Sequence, residues 1–285
     1  MARRRGKSGQ CHPAPPGRRR SHEGRGHLHP DAVAEEGLRE TCLVRMFWGD
    51  RAETPDECAR RAIAFLEAMA RIDPLFTQFE YTTRKRGKYV HSPVPLELEE
   101  LSKVIAKGVN RRDSDRSVIQ ELGYRLWVST RGKGDHALLN LHCGCYDTGS
   151  FANSCILQLD FPEPRYEQVV NVPVLTRMLG AMADAFDPQL GHAGFHSFWD
   201  ALPPPVHPRI RKELSMDWLM YFSREWGTVP PLPAPVRIEP LGDRGTLVIL
   251  SPNPVSASNP EDVELGRQVQ GLLRKAGLLE DRRKA

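Results

Sequence analysis

The segment 46–76, MFWGDRAETPDECARRAIAFLEAMARIDPLF, constrains this chain more than any other. Thr54-Pro55-Asp56-Glu57 is a capping box. The Thr54 hydroxyl can accept from the amide of Glu57 while the Glu57 carboxylate reaches back to the amide of Thr54. Pro55 falls at the first helical position, where a missing N–H costs nothing. Cys58, Ala62, Phe65, Leu66 and Met69 recur on one helical face. Pro74 disfavours helical backbone at Asp73, so the helix is predicted to end near Ile72. Residues 41–48 before it read as a strand feeding that helix.

The same rules extend along the chain. A second helix is predicted over residues 96–107, with Leu98, Leu101, Val104 and Ile105 as its stripe and Gly108 as its C-terminal cap. A polar loop, 110–117, follows. Strands are predicted at 123–129, 136–146 and 154–161. In the second of these Ala137, Leu139, Leu141, Cys143 and Cys145 alternate onto one face. Residues 131–135 read as a hairpin loop. A third helix over 174–186 is stopped by Asp187-Pro188, much as Asp73-Pro74 stops the first. Residues 217–223 read as a strand, 228–235 as a proline-rich connection, and 236–239 with 246–250 as a hairpin around Gly242 and Gly245. The last helix has Asn259 as N-cap and Pro260 next, with Glu261 and Asp262 favouring the positive end of the dipole. Its stripe is Leu265, Val269, Leu272, Leu273 and Ala276, and Gly277-Leu278 fits a Schellman ending. The expected fold class is α+β: a mostly antiparallel sheet with several packed helices, in a single domain over residues 40–280.

Charge is distributed unevenly. Of the net +4 over 285 residues, residues 1–30 hold eight Lys/Arg and one Glu, so they carry +7 and the remainder −3. Residues 1–37 are rich in Arg, Gly, Pro and His without apolar periodicity and are expected to be disordered. No apolar run approaches the roughly 20 residues of a membrane helix. The basic N-terminus lacks the apolar stretch of a secretory signal. A mildly acidic body suits a basic partner. The six cysteines lack the spacing of a disulfide framework. Reduced, buried thiols and a cytoplasmic location are the expectation.

His142-Cys143-Gly144-Cys145 comes nearest to a metal motif. On a regular strand, however, Cys143 and Cys145 share a face while His142 takes the other, and no second ligand pair follows. No metal site is expected. Gly132-Lys133-Gly134 lacks the spacing of a phosphate loop and reads as a turn. His192 and His196 have the i, i+4 spacing of helical zinc ligands, but Gly191 and Gly194 argue against a helix there. No nucleophile elbow, HExxH or kinase signature occurs, so no enzyme activity and no cofactor is expected. Glu97, Glu99 and Glu100, with Asp113 and Asp115, concentrate negative charge around the second helix and its loop. They are either a solvated face or an acidic patch for a basic partner. Trp48 and Glu53 flank a turn where they either pack or make contacts.

The order Trp48-Gly49, Arg51, Glu53, Cys58-Ala59, Phe65-Leu66, Ile72-Asp73-Pro74 resembles the immunity protein 52 family of bacterial polymorphic-toxin systems. So do Gly108-Val109-Asn110-Arg111-Arg112-Asp113, Leu122-Gly123-Tyr124, His142-Cys143-Gly144 with Asn153-Ser154, and Trp218-Leu219-Met220-Tyr221-Phe222-Ser223. The resemblance spans about residues 43–279. It implies a cytoplasmic, non-enzymatic antitoxin that binds a cognate basic nuclease toxin of restriction-endonuclease-like class. Inhibition would cover the nuclease active site or occupy a surface the toxin needs to assemble. On that implication the partner-binding candidates are Glu97, Glu99, Glu100, Asp113 and Asp115. The Trp48–Glu53 turn and Arg111, Arg112 and Arg116 come next. The rivals are a nucleic-acid-binding regulator using the basic N-terminal arm, and a hydrolase with a scattered site.

Overall fold

Alternation of apolar and polar residues builds the middle of the sheet. In β1 (Cys42–Trp48) the side chains of Cys42, Val44, Met46 and Trp48 are buried on one face, and Leu43, Arg45 and Phe47 are half-buried on the other. The computed structural model describes residues 39–130, 136–147, 153–202 and 215–279. Besides β1 its strands are β2 (Phe79–Lys85), β3 (Lys88–Pro93), β4 (Leu122–Thr130), β5 (His136–Cys145), β6 (Asn153–Asp160), β7 (Leu190–Phe195), β8 (Leu219–Ser223), β9 (Arg237–Leu241) and β10 (Gly245–Ile249). They form one antiparallel sheet in the order β3-β2-β4-β5-β6-β1-β7-β8-β10-β9. The protein is therefore a single α+β domain.

Helices cover the sheet where it is most apolar. α1 (Pro55–Ile72) and α4 (Val172–Phe186) lie on the first face, where Trp48 and Phe65 both meet Phe186. α2 (Leu98–Lys107) packs beside α1 and β4. A short α3 (Arg165–Val169) precedes α4. α5 (His196–Ala201) lies on the second face, with Trp199 against His192 and Arg45. α6 (Pro260–Lys275) packs its Gly266 under the Phe198 ring and Leu202. Elsewhere on the second face, among the described residues, Trp127 is 56% and Leu138 38% exposed. Among the described residues no helix is long and apolar enough to cross a membrane.

The predicted ends of α1 and α6 are present. Thr54 accepts from the Glu57 amide and Glu57 accepts from the Thr54 amide. After α6, the amide of Leu278 donates to Leu273 and that of Gly277 to Arg274, a Schellman pair around Gly277 at φ +71°. Gly108 caps α2, and Asp73 and Asp187 end α1 and α4, as predicted, with geometries the sequence does not specify. Gly108 ends α2 at φ −79°, outside the left-handed region. Its role is close approach: a Cβ there would stand 2.0 Å from the Arg125 carbonyl oxygen. The two Asp-Pro endings also differ, since Asp73 is extended (φ −153°) whereas Asp187 is left-handed (φ 49°).

The β2–β3 hairpin, α3, β7 and α5 go beyond the elements predicted from sequence. In β7, Gly191 and Gly194 lower strand propensity, yet the strand is central and fully buried. A Cβ on Gly194 would collide with the Asp217 carboxylate, so close packing decides the residue rather than propensity. The expectations for residues 1–37 and for the loop 131–135 lie outside the described residues.

Candidate functional site

The turn after β1 is built around a buried carboxylate. Trp48 stacks on Phe186 at 5.3 Å and an interplanar angle of 10°, and the Arg51 guanidinium lies 5.3 Å from the Trp48 ring centroid. The Glu53 side chain is only 4% exposed, and its Oε1 accepts from Arg61 Nε at 2.6 Å. Arg51 donates through Nη2 to the Phe186 carbonyl and Arg61 through Nη1 to the Ala185 carbonyl. Two cations thus satisfy the last carbonyls of α4, where the helix dipole favours positive charge. Burial lowers the Arg51 pKa, and Glu53 opposes that shift. Asn153 fixes the turn from behind, donating to the carbonyls of Gly49 and Cys145 and accepting from the Cys145 amide. Trp48, 2% exposed, and Glu53 are therefore held inside.

The acidic residues of α2 do face solvent. Glu97, Glu99 and Glu100 are exposed, and the last two share Lys103 Nζ at 2.8 Å each. Hydrogen bonds to Glu100 and Glu99 push the Lys103 pKa up. Glu97 makes no capping hydrogen bond. Ser102 on the same helix donates to Asp56 at the start of α1, which ties the two helices together.

The loop before β4 mixes signs. Asp113 and Asp115 sit among Arg111, Arg112 and Arg116, and all five are exposed. Asp115 accepts from the Ser117 amide and hydroxyl, the Arg112 amide donates to the Ser117 carbonyl, and Arg111 donates to the Arg116 carbonyl. Register places this loop at the end of the sheet where the Trp48–Glu53 turn also lies. Leu122 pairs with Cys145 at the end of β5, and Asn153, opening β6, pairs with Trp48. One end of the fold therefore carries the turn, the mixed loop and the start of α1.

The cysteine–histidine motif departs from its predicted geometry. Gly123 (φ +57°) and Gly144 (φ +76°) break the regular alternation. As a result Cys145 Sγ comes 3.1 Å from His142 Nε2, and both atoms lie near the Leu122 carbonyl. Cys143 is buried on the other side, in hydrogen-bond contact with Cys58. Burial pushes the Cys145 thiol up to about 11, and it is the main cause of the raised pKa values of Cys42 and Cys155. Such thiols are poor nucleophiles at neutral pH. Among the described residues no three His, Cys, Asp or Glu side chains stand together as metal ligands.

His192 and His196 are separated by their elements. His192 is buried in β7 and its Nδ1 lies 2.8 Å from Asp217 Oδ2, whereas exposed His196 on α5 lies 3.5 Å from Asp200. Burial lowers the His192 pKa, and Asp217 opposes that effect. Asp217, Arg61 and the β2–β3 hairpin join the site residues only in the folded chain. The hairpin has a signal in YTTRKRGKYV, where β-favouring residues flank Arg-Gly.

No curated protein matches the chain. Among solved structures, the Pseudomonas aeruginosa T6SS protein PA0821 is similar to it, with a TM-score of 0.49 and 13% identity over 86% of this chain and 74% of that one. The profile of immunity protein 52 matches residues 40–282, and the chain belongs to the immunity protein 52 family.

Proposed function

We propose that this immunity protein neutralises a cognate nuclease toxin of restriction-endonuclease-like class by binding it in the cytoplasm, without catalysing a reaction. The observation that carries the reading is the family match across residues 40–282. The charge balance supports it. The chain after residue 30 carries −3, which suits a cationic nuclease. The buried thiols, with pKa values raised by burial, also argue against cysteine catalysis.

The acidic face of α2 and the adjacent loop are the proposed contacts. Glu97, Glu99 and Glu100 are exposed on an ordered helix, and Lys103 holds two of them in place. Asp113 and Asp115, with Arg111, Arg112 and Arg116, give the loop both signs of charge and with them orientation specificity. Trp48 and Glu53 act from beneath by fixing the turn.

The test is co-expression with the toxin encoded at the same locus in a sensitive host, scored for survival and intact nucleic acid. Survival is expected. Death despite folded, soluble immunity protein rejects the reading. Reversing Glu97, Glu99 and Glu100 to Lys is expected to slow association and flatten its salt dependence. Rescue and kinetics unchanged by that reversal would keep immunity and move the contact elsewhere.

A further inference from the structure

The sheet ends on one side in a hairpin that leaves it. β2 pairs with β4 only through Phe79, Glu80 and Tyr81, but its pairing with β3 continues to Lys85 opposite Lys88. The distal part therefore projects roughly 13 Å, taking four residues at about 3.3 Å each. Its turn is Arg86-Gly87, with φ of 48° and 81°, the left-handed pair of a two-residue hairpin turn. That turn twists with the strands and keeps them paired to its edge.

The projection is cationic. Arg84, Arg86 and Lys88 are exposed, Lys85 adds a fourth cation in the sequence, and no carboxylate occurs from Tyr81 to Leu96. The chain after residue 30 carries −3 although this stretch contributes +4. Two exposed aromatics share one face beside it. Arg84 pairs with Tyr89, which is 73% exposed, and the register Glu80 to Ser129 puts Trp127, 56% exposed, on that same side. Arg, Tyr and Trp are the residue types that dominate protein interfaces energetically.

We infer that the β2–β3 hairpin is a cationic prong that inserts into a carboxylate-lined cleft on a protein partner. The inference rests on the reading that the chain neutralises a toxin by binding it, and adds a second contact to the acidic face of α2. Charge complementarity selects the occupant. A nucleic acid is a long polyanion that would run past the prong onto an acidic body, where it is repelled. A protein cleft presents its negative charge locally and meets only the prong. A partner with an acidic cleft and a basic surround matches both charged regions of this protein.

The test uses the full chain and its Arg84→Ala/Arg86→Ala/Lys88→Ala variant, with unchanged melting temperature as the folding control. The probes are a short fluorescent polyglutamate peptide, a short DNA duplex and the toxin from the same locus. The wild type is expected to bind the peptide, and the variant about tenfold or more weakly, since each exposed cation adds to attraction and steering. No peptide binding, or equal binding by the variant, overturns the prong. Tighter binding of DNA than of peptide at physiological salt overturns the choice of a protein partner. With the toxin, equal association rates for wild type and variant overturn the prong while immunity stands. Peptide binding lost in the variant, with no toxin binding by the wild type, keeps the prong and rejects that toxin as the partner.

Discussion

Arg61 donates from Nε to Glu53 Oε1 at 2.6 Å, and the same oxygen stands 3.2 Å from Arg51 Nε. One carboxylate, 4% exposed, thus holds two guanidinium groups that also bind the final carbonyls of α4. The carboxylate belongs to the turn after β1, and Arg61 to α1. Strand, first helix and fourth helix therefore meet at Glu53. Glu53→Gln removes the carboxylate that both half-buried arginines touch. The expected cost is about 1–3 kcal/mol, the usual penalty for removing one partner of a buried polar contact. Urea unfolding measures it, and a loss well below that range would show that solvent already screens the cluster.

The first helix depends on its cap and on its stripe to different degrees. Thr54→Ala removes one side of the capping box seen at the α1 N-terminus and is expected to cost about 1 kcal/mol. Phe65 is fully buried against Phe186 at 5.5 Å, so Phe65→Ala is expected to cost about 3–5 kcal/mol. Unfolding midpoints of the two variants should fall in that order. The reverse order would mean the helix is held by its end and not by its face.

The elements legible in sequence were those with local chemistry at their boundaries. The capping box at Thr54, the Asn259 cap and the Gly277 ending each act within a few residues, so the sequence determines them directly. What was not legible depended on partners far along the chain. β7 reads Leu-Gly-His-Ala-Gly-Phe, and only the Asp217 carboxylate, more than twenty residues on, explains why Gly194 stands there. Gly108 is legible as the α2 cap, but the Arg125 carbonyl that crowds it comes from a strand well along the chain. Regular alternation put Cys143 and Cys145 on one face, and two left-handed glycines undo it. Of the candidate contacts, the exposure of Glu99 and Glu100 follows from the helical period that turns Leu101 and Ile105 inward. The buried position of Glu53 does not, because Arg61 joins it only once α1 has formed.

Burial lowers the His192 pKa, so the native state favours the neutral ring. The unfolded chain then takes up the proton first as pH falls below the ordinary imidazole value of about 6.5. Stability from this group is complete above that value and declines as pH falls toward the lower folded pKa. Replacing the ring by His192→Gln removes this contribution. The fall in melting temperature between about pH 7.5 and 5.5 should be smaller in the variant than in the wild type, given that linkage. Equal falls would mean that His192 is not buried neutral.

Cys42, Cys58, Cys143, Cys145 and Cys155 are buried free thiols. In native protein treated with a thiol reagent these five cysteines should therefore react slowly and be released on unfolding. Of Cys42, Cys145 and Cys155, Cys145 should be the first to react as pH rises, since burial, its main cause, raises that thiol only to about 11. Several fast thiols at neutral pH would show that the end of β5 opens in solution.

Two glycines give predictions of opposite sign. Gly108 has a φ of −79° that any residue adopts, so a conformational role would make Gly108→Ala harmless or stabilising. The structure places the missing Cβ 2.0 Å from the Arg125 carbonyl oxygen, and backbone atoms cannot rotate away. Gly108→Ala should therefore cost about 1–3 kcal/mol, as forced backbone shifts do. Gly271, within α6, has nothing within 4 Å of its missing Cβ. Gly271→Ala should stabilise by about 0.5–1 kcal/mol, because a helix interior disfavours glycine. Thermal unfolding of the two variants beside the wild type checks both. A stabilised Gly108→Ala would mean that the Arg125 carbonyl yields to a Cβ, and a destabilised Gly271→Ala would mean that this side of α6 is covered.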